Sequence, residues 1–176
     1  NSGAVRMAGF VTVTSGNIRW GQFNVPTGVN FHDLIIDIED MHPTGNYNQA
    51  YIEVVAGQTL TVDNDLILEN GKINQGDIDV KGDIITVCAN ATSFQDCAGG
   101  GTSAIELSGT NDQTLTVVAS SELPDGAFTV NKVSGDVVQA SDIDLNGAGQ
   151  TLNINDGDWD MAGFDLSASA TIIIGD

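Results

Sequence analysis

The sequence predicts an all-β protein whose short strands wind around an axis in stacked coils. Apolar residues recur every six positions between polar turns, and three similar copies of one hexapeptide are present. No segment has the three- and four-residue spacing of an amphipathic helix over a dozen positions. Strands this short have no stable face alone, so each coil must stack on the one before it.

The six-residue spacing is clearest in residues 57–87. The apolar positions are Leu60, Leu66, Ile78 and Ile84, with Ile73 one place beyond the missing member. Asp, Asn, Gly and Lys dominate the segments between them, at 63–65, 69–71, 74–77 and 81–83. Asp, Asn and Gly favour tight turns, so the spacing predicts coil sides separated by corners. The inward residues of successive coils would form one continuous column.

Internal repetition supports the same fold. GQTLTV occurs at 57–62, DQTLTV at 112–117 and GQTLNI at 149–154. Because the spacing between copies is unequal, we interpret them as a degenerate repeat with loop insertions. The run from Ser108 to Asp176 resembles the repeats of large secreted bacterial surface proteins, in which LxLNGxGQTLTVxxGxLDLxGxxLTVxG recurs. These proteins are broadly of the filamentous-haemagglutinin and autotransporter type.

The resemblance covers roughly residues 50–176. It implies a right-handed parallel β-solenoid with an extracellular structural or adhesive role, and it brings no catalytic residues. The alternative fold is an antiparallel β-sandwich or jelly roll, since several short strands with turn signals also suit that class.

The first fifty residues depart from the repeat pattern. They contain both histidines and five of the ten aromatic residues. A solenoid end exposes apolar side chains and unpaired strand edges, which must be capped or paired. We therefore divide the chain into an N-terminal cap or assembly segment, 1–50, and β-solenoid repeats, 51–176.

The charge is strongly acidic, with 24 Asp and Glu against 5 Lys and Arg and a formal net charge of -19. Such a charge repels nucleic acid and anionic lipid. No run of 18 apolar residues is present, so we expect no membrane insertion. An acidic, Asp-rich surface suits divalent cations or solubility in a salty exterior, which indicates an extracellular or cell-surface location.

Two cysteines, Cys88 and Cys97, enclose a short polar segment. We predict a disulfide between them that closes a loop inserted into the repeats, because the composition indicates an oxidising exterior. Closing a loop of about ten residues contributes roughly 2–3 kcal/mol in the chain-entropy model.

Acidic clusters are the candidates for a cation site. In an extended strand alternate side chains share a face, so Asp156, Asp158 and Asp160 would line one side. Asp63 and Asp65 form a weaker cluster. Ca²⁺ prefers six to eight oxygen ligands, and it is the cofactor that these clusters suit. The competing interpretation is a set of solvated acids at turns.

No residue pattern indicates catalysis. Neither His32 nor His42 lies near a nucleophile motif, and the few basic residues are scattered. A β-helix polysaccharide lyase or hydrolase would need Arg or Lys beside its carboxylates, so we predict that the chain is not an enzyme. The main functional alternative is a carbohydrate-binding module, with Trp20, Phe23 and Trp159 as candidate aromatic platforms for glycans.

The predicted function is a non-catalytic extracellular structural module with possible adhesion along its flank. It would be a rod segment that stacks on neighbouring coils of a longer surface protein, or a subunit of a head-to-tail homopolymer. The assembly residues would be Phe10, Val11 and Val13 at one end and Ile172 and Ile174 at the other. The bare β-branched strand ATIIIGD lacks the Pro, Lys or covering helix that usually protects an edge.

Overall fold

The computed structural model describes residues 3–12, 18–25, 30–41, 50–88, 98–168 and 171–175. Their regular secondary structure is entirely β, which confirms the predicted all-β class. The strands are β1 Ala4–Thr12, β2 Ile18–Phe23, β3 Asn30–Phe31, β4 Asp33–Met41, β5 Ala50–Val54, β6 Thr59–Val62, β7 Leu66–Asn74, β8 Asp77–Val80, β9 Ile84–Thr86, β10 Ala98–Gly101, β11 Ala104–Leu107, β12 Gln113–Thr116, β13 Phe128–Gln139, β14 Ile143–Leu145, β15 Thr151–Asp160, β16 Leu166–Ala168 and β17 Thr171–Ile174.

The ladders between these strands are parallel. Fifteen strands join one large sheet, and β14 pairs with β16 in a separate two-stranded sheet. Parallel strands need a crossover between partners, whereas a sandwich or jelly roll is built from antiparallel ones. The antiparallel alternative is therefore wrong for the described strands.

The large sheet contains three stacks of strands. The first stack comprises β1, β4, the start of β7, β9, β12, and the ends of β13 and β15. The second stack comprises β2, β5, the end of β7, and β10. The third stack comprises β3, β6, β8, β11, the starts of β13 and β15, and β17.

The chain alternates between the first and third stacks, and in the first four circuits it passes through the second stack between them. We call one such circuit a pass. The described strands make seven passes: β1–β3, β4–β6, β7–β8, β9–β11, β12 with the start of β13, the end of β13 with β14 and the start of β15, and the end of β15 with β16 and β17. The shortest pass places Leu66 beside Ile84, 18 residues later. Strands that are distant in sequence therefore become neighbours in space.

The core consists of columns of inward side chains that run along each stack. One column of the third stack is Leu60, Ile78, Ile105, Phe128 and Leu152. One column of the first stack is Leu34, Leu66, Ile84 and Leu115. These side chains are buried, so the four residues predicted from the six-residue spacing do face the core.

The bend inside β7 explains why Ile73 breaks the six-residue spacing. Ile36 pairs with Leu68, but the next residue, Asp37, pairs with Asn70, so β7 carries one additional residue. A bulge of this kind bends the strand locally and moves the next inward residue by one position. Gly71, with φ +83°, follows directly, and Ile73 then enters the second stack fully buried.

The predicted boundary at residue 50 coincides with the start of β5. Strands on both sides of it join the same stacks: β1 pairs with β4, β4 with β7, and β2 with β5. The role of residues 1–50 as a cap or assembly segment stays a prediction. Among the described residues there is no helix with the length and apolar character needed to span a membrane.

Candidate functional site

The acidic cluster at Asp63 and Asp65 is held in contacts within the protein. Asp63 Oδ1 lies 2.7 Å from the Lys81 ammonium nitrogen, and Asn30 Nδ2 donates to both oxygens of Asp63. The hydrogen bond from Lys81, with a smaller contribution from Asn30, lowers the pKa of Asp63 below its ordinary value. Asp65 accepts the backbone amide of Asp83 at 2.9 Å. The two carboxylates therefore have separate roles.

The second predicted cluster is divided by a bend in β15. Gly157 has φ +91° and separates Asp156 from Asp158, so the regular alternation behind the prediction is interrupted. Asp158 pairs with Asp136, and Asp160 pairs with Val138 of the preceding pass. Within the described ranges, no group of three His, Cys, Asp or Glu side chains is placed to hold a metal ion. The calcium site stays a prediction without support from this geometry.

Aspartates at the corners connect each pass to the next through the backbone. In five places an Asp Oδ1 accepts the amide N–H of the residue at the equivalent position one pass later. The pairs are Asp33 with Asp65 at 3.3 Å, Asp65 with Asp83 at 2.9 Å, Asp83 with Thr114 at 2.7 Å, Asp112 with Asp136 at 3.1 Å, and Asp142 with Asp165 at 3.0 Å. We call this set the aspartate ladder. Hydrogen bonds of a carboxylate to a backbone N–H are among the stronger ones in proteins.

The aspartate ladder was not predicted, although the sequence carries a signal for it. Several of its members stand directly before an inward aliphatic residue, as in Asp65-Leu66, Asp83-Ile84 and Asp142-Ile143. At the first step, Asn64 also donates its side-chain amide to Asp33 at 2.7 Å. That hydrogen bond is the main cause of the lowered pKa of Asp33. An Asp-aliphatic pair repeated at coil spacing could therefore have indicated a structural role.

We expect Asp65→Ala to lower the free energy of unfolding by about 1 kcal/mol, because the Asp83 amide loses its acceptor. Asp65→Asn should remain within about 0.5 kcal/mol of the original chain, because an amide oxygen can accept the same hydrogen bond. Urea denaturation of both variants, with and without chelator, measures these effects. Equal losses for Asn and Ala, or a stability that depends on Ca²⁺, would contradict a role of Asp65 as a hydrogen-bond acceptor for the backbone.

The glutamine of each hexapeptide repeat also ties neighbouring passes together. Gln113 is buried, and its amide donates to the carbonyls of Val80 and Gly82 while its Oε1 accepts the Gly109 amide. Gln150 repeats this arrangement with the carbonyls of Pro124 and Gly126 and the amide of Gly147. Gln58 accepts the amide of Val25 and donates to Asn24. The repeat is therefore a corner motif.

The three repeats do not occupy equivalent places. Leu60 and Leu152, from the first and third copies, belong to the third stack, whereas Leu115 of the second copy belongs to the first stack. A corner motif can precede a strand of more than one stack. This placement accounts for the unequal spacing between copies, which the sequence suggested was caused by insertions alone.

Lys132 is a buried cation that sequence analysis did not identify as special. Its side chain is only 1% exposed, and its ammonium group donates to the carbonyls of Gly109 and Asn111 and to Gln113 Oε1, at 2.7 to 2.9 Å. Burial lowers the pKa of Lys132 below its ordinary value. Because it contacts three oxygens of the preceding corner, Lys132 holds β13 against that corner.

Of the predicted glycan-binding aromatics, the two with described side chains, Phe23 and Trp159, lie in different passes. Phe23 packs against Phe31, with ring centroids 5.7 Å apart, in the first pass. Trp159 lies in the last pass, where it packs edge-on against Phe128 and donates its indole N–H to Gln139 at 2.7 Å. Both rings are partly buried against the core. The side chain of Trp20 lies outside the described set.

The predicted disulfide and part of the predicted assembly surface also fall outside the described residues. Cys88 follows β9, but Cys97 is not described, so their pairing stays a prediction. Phe10 and Val11 lie in β1, but their side chains are outside the described set, and Val13 is not described.

The edge formed by β17 is the clearest exposed apolar feature. β17 pairs with β15 on one side, and no described strand pairs with its other side. Ile172 continues the column that contains the fully buried Leu152, yet it is 48% exposed, and Ile174 is 75% exposed. A groove of about 420 Å³ runs beside this edge, between Trp159 and Ile174. We call this surface the open edge and regard it as the candidate functional site.

Comparison of the chain with family models, with curated proteins and with solved structures finds no match. A proposal about function therefore depends on the strand register, the corner contacts and the open edge.

Proposed function

We propose that this chain is a right-handed parallel β-solenoid that acts as a non-catalytic structural module outside the cell, as a rod segment or a filament subunit. The observation that carries this proposal is the register of the inward columns. Each column passes from strand to strand through one stack, as in the series Leu60, Ile78, Ile105, Phe128, Leu152 and Ile172. A chain that repeats one circuit and buries its core between successive circuits is built as a solenoid.

Two general rules support the details. Crossovers between parallel strands of one sheet are right-handed in nearly all proteins, which favours the right-handed sense for these coils. Repeat proteins in which each unit contacts only its neighbours can extend in one dimension without changing their core. Such an architecture provides length and rigidity, which is what a surface rod or filament requires.

The polar groups also support a structural role. The aspartate ladder and the repeat glutamines join one pass to the next, so these side chains stabilise stacking. The net charge of -19 on the chain opposes lateral clumping of such rods and favours solubility in a salty medium. Both features suit an acidic rod that is displayed outside the cell.

We expect that duplicating residues 66–83 directly after Asp83 will give a folded and longer protein. This segment is one complete pass, because Leu66 pairs with Ile84 and Ile67 with Ile85. Each residue of the added pass would stack on the identical residue of the original pass. Each added coil should lengthen the rod by about 4.8 Å. Small-angle X-ray scattering measures the maximum dimension, and thermal unfolding measures whether stability is retained.

A matched control inserts only residues 66–74 at the same place. This insertion is half of a pass, so every later strand would move to a different stack and lose its inward register. We expect this variant not to fold. If the complete pass were as damaging as the half pass, the sheet would behave as a closed unit and the solenoid proposal would be wrong.

A further inference from the structure

The first pass, like the open edge, has strands that pair with a described strand on one side only. Building on the proposed function, we propose that a second copy of this protein adds its first pass to the β17 edge, so that the stacks of the two copies continue into one another. The contact joins different surfaces of the two copies. A contact of this kind does not close on itself and generates filaments.

The register of the third stack specifies which residues meet. Phe31 pairs with Val62, and the same column continues through Val80, Leu107, Val130 and Ile154 to Ile174. Continuing that register places Phe31 of the second copy beside Ile174 and Asn30 beside Ile173. The strand added to β17 is therefore β3, whereas sequence analysis expected the apolar residues of β1.

The register of the first stack gives a second pair. Ala4 pairs with Asp33, and successive equivalents along the stack lead to Val138, which pairs with Asp160. Ala4 of the second copy would thus lie beside Asp160. Both side chains are exposed, so they face outward on the same side of the added strand.

The apolar side chains of the two passes are suited to cover each other. Half-buried apolar residues that pack on the core occur in the first pass at Val5, Met7, Phe23 and Phe31 and in the last pass at Trp159, Leu166 and Ala168. Their counterparts in the central passes are fully buried, as Leu34 and Leu66 are. Stacking two copies would give the terminal side chains the neighbours that the central ones already have.

Charge favours this arrangement over contact between two like ends. Residues 1–31 contain Arg6 and Arg19 and no Asp or Glu, whereas residues 133–176 contain only acidic charges, all of them Asp. Arg6 forms ion pairs with Asp37 and Glu69, yet 47% of its side chain stays exposed. A cationic first pass therefore meets an anionic last pass, and such complementarity selects the partner surface.

Sedimentation velocity over a range of protein and salt concentrations tests the proposal. We expect head-to-tail association that weakens as salt is raised. Ala4→Glu should weaken association by about fivefold, because it places a like charge beside Asp160. Asp160→Lys supplies the opposite charge, so the double variant Ala4→Glu with Asp160→Lys should recover the association lost by Ala4→Glu. Ile174→Asp should weaken association by at least about tenfold, because it places a charge in the apolar contact.

The exposed positions of these substitutions allow each variant to be checked as a folded monomer by circular dichroism. Recovery in the double variant would support the proposed register, because a folding defect cannot be repaired by reversing a charge elsewhere. A chain that is monomeric at every concentration, or a double variant without recovery, would overturn the proposal. If the chain is monomeric but the variant with the duplicated pass still folds, the proposed rod function would stand. That result would indicate that coils of a longer chain cover the edge.

Discussion

Ile84→Asp is expected to prevent folding of the chain. Ile84 is 1% exposed and lies in the first stack between Leu66 and Leu115, which occupy the passes on either side. An aspartate there would bury a carboxylate among aliphatic side chains with no cationic partner. The free energy of unfolding should fall by more than about 4 kcal/mol, which is more than most single substitutions produce. Circular dichroism and thermal unfolding should show no cooperative transition.

The neighbouring residue provides a matched control for this substitution. Ile85 pairs with Ile67 in the same ladder but is only partly buried, because alternate side chains of a strand face opposite sides. Ile85→Asp should lower the free energy of unfolding by about 1 kcal/mol, since its carboxylate stays in contact with water. Similar losses for the two variants would contradict the inward register of this stack.

Gly109→Ala is expected to produce the second large effect. A β-carbon on Gly109 would lie 2.2 Å from the backbone oxygen of Lys81, which belongs to the preceding corner. Backbone atoms held in a stack cannot move aside as the tip of a flexible side chain can, so the two passes would have to separate locally. We expect the free energy of unfolding to fall by about 3 kcal/mol, at the upper end of overpacking effects. Urea denaturation measures this change.

Gly21→Ala is the corresponding control. Gly21 also lies outside the left-handed backbone region, but a β-carbon there would meet nothing within 4 Å. Because alanine restricts the unfolded chain more than glycine does, this variant should remain within about 0.5 kcal/mol of the original or be slightly more stable. If both alanine variants had the same denaturation midpoint, close stacking of the corners would not be what requires glycine at position 109.

The strand positions were predictable where the local pattern and the stacking pattern coincide. The pass between Leu66 and Ile84 is the shortest, and its 18 residues are three times the six-residue spacing. Apolar residues at that spacing therefore lie on successive sides of one pass, and those a full pass apart are neighbours along a stack. The turns at 63–65 and 81–83 were predictable for a related reason, since Asp, Asn and Gly have strong local preferences. These features depend on residues that are close together in the sequence.

The candidate site was only partly predictable. Ile172 and Ile174 were identified from a β-branched strand without protecting residues, and both are exposed at the open edge. Their partners in the proposed assembly were assigned to β1 because its sequence is apolar, but the register of the third stack points to Phe31 of β3. A register that passes through seven strands cannot be inferred from the composition of the first one.

The acidic residues illustrate the same limit. Asp63 and Asp65 are adjacent enough in sequence to suggest a shared cation, yet one contacts Lys81 and the other the amide of Asp83. These two partners come from the next pass of the chain, and Asn30, which also contacts Asp63, comes from the preceding one. A hydrogen bond of this kind depends on how many residues the intervening loops contain, and residue type alone does not report that number.

The sequence by itself determined that the chain is built from short strands and that the protein is strongly acidic. It also determined that Leu60, Leu66, Ile78 and Ile84 turn inward. Each of these properties is set by residue type or by spacing within a few positions. The tertiary structure alone decided which strands lie side by side and which stack each hexapeptide repeat joins. It also decided which backbone amide donates to each corner aspartate. Those contacts join residues that are roughly 20 to 30 positions apart, so they exist only after the core columns have brought successive passes into register.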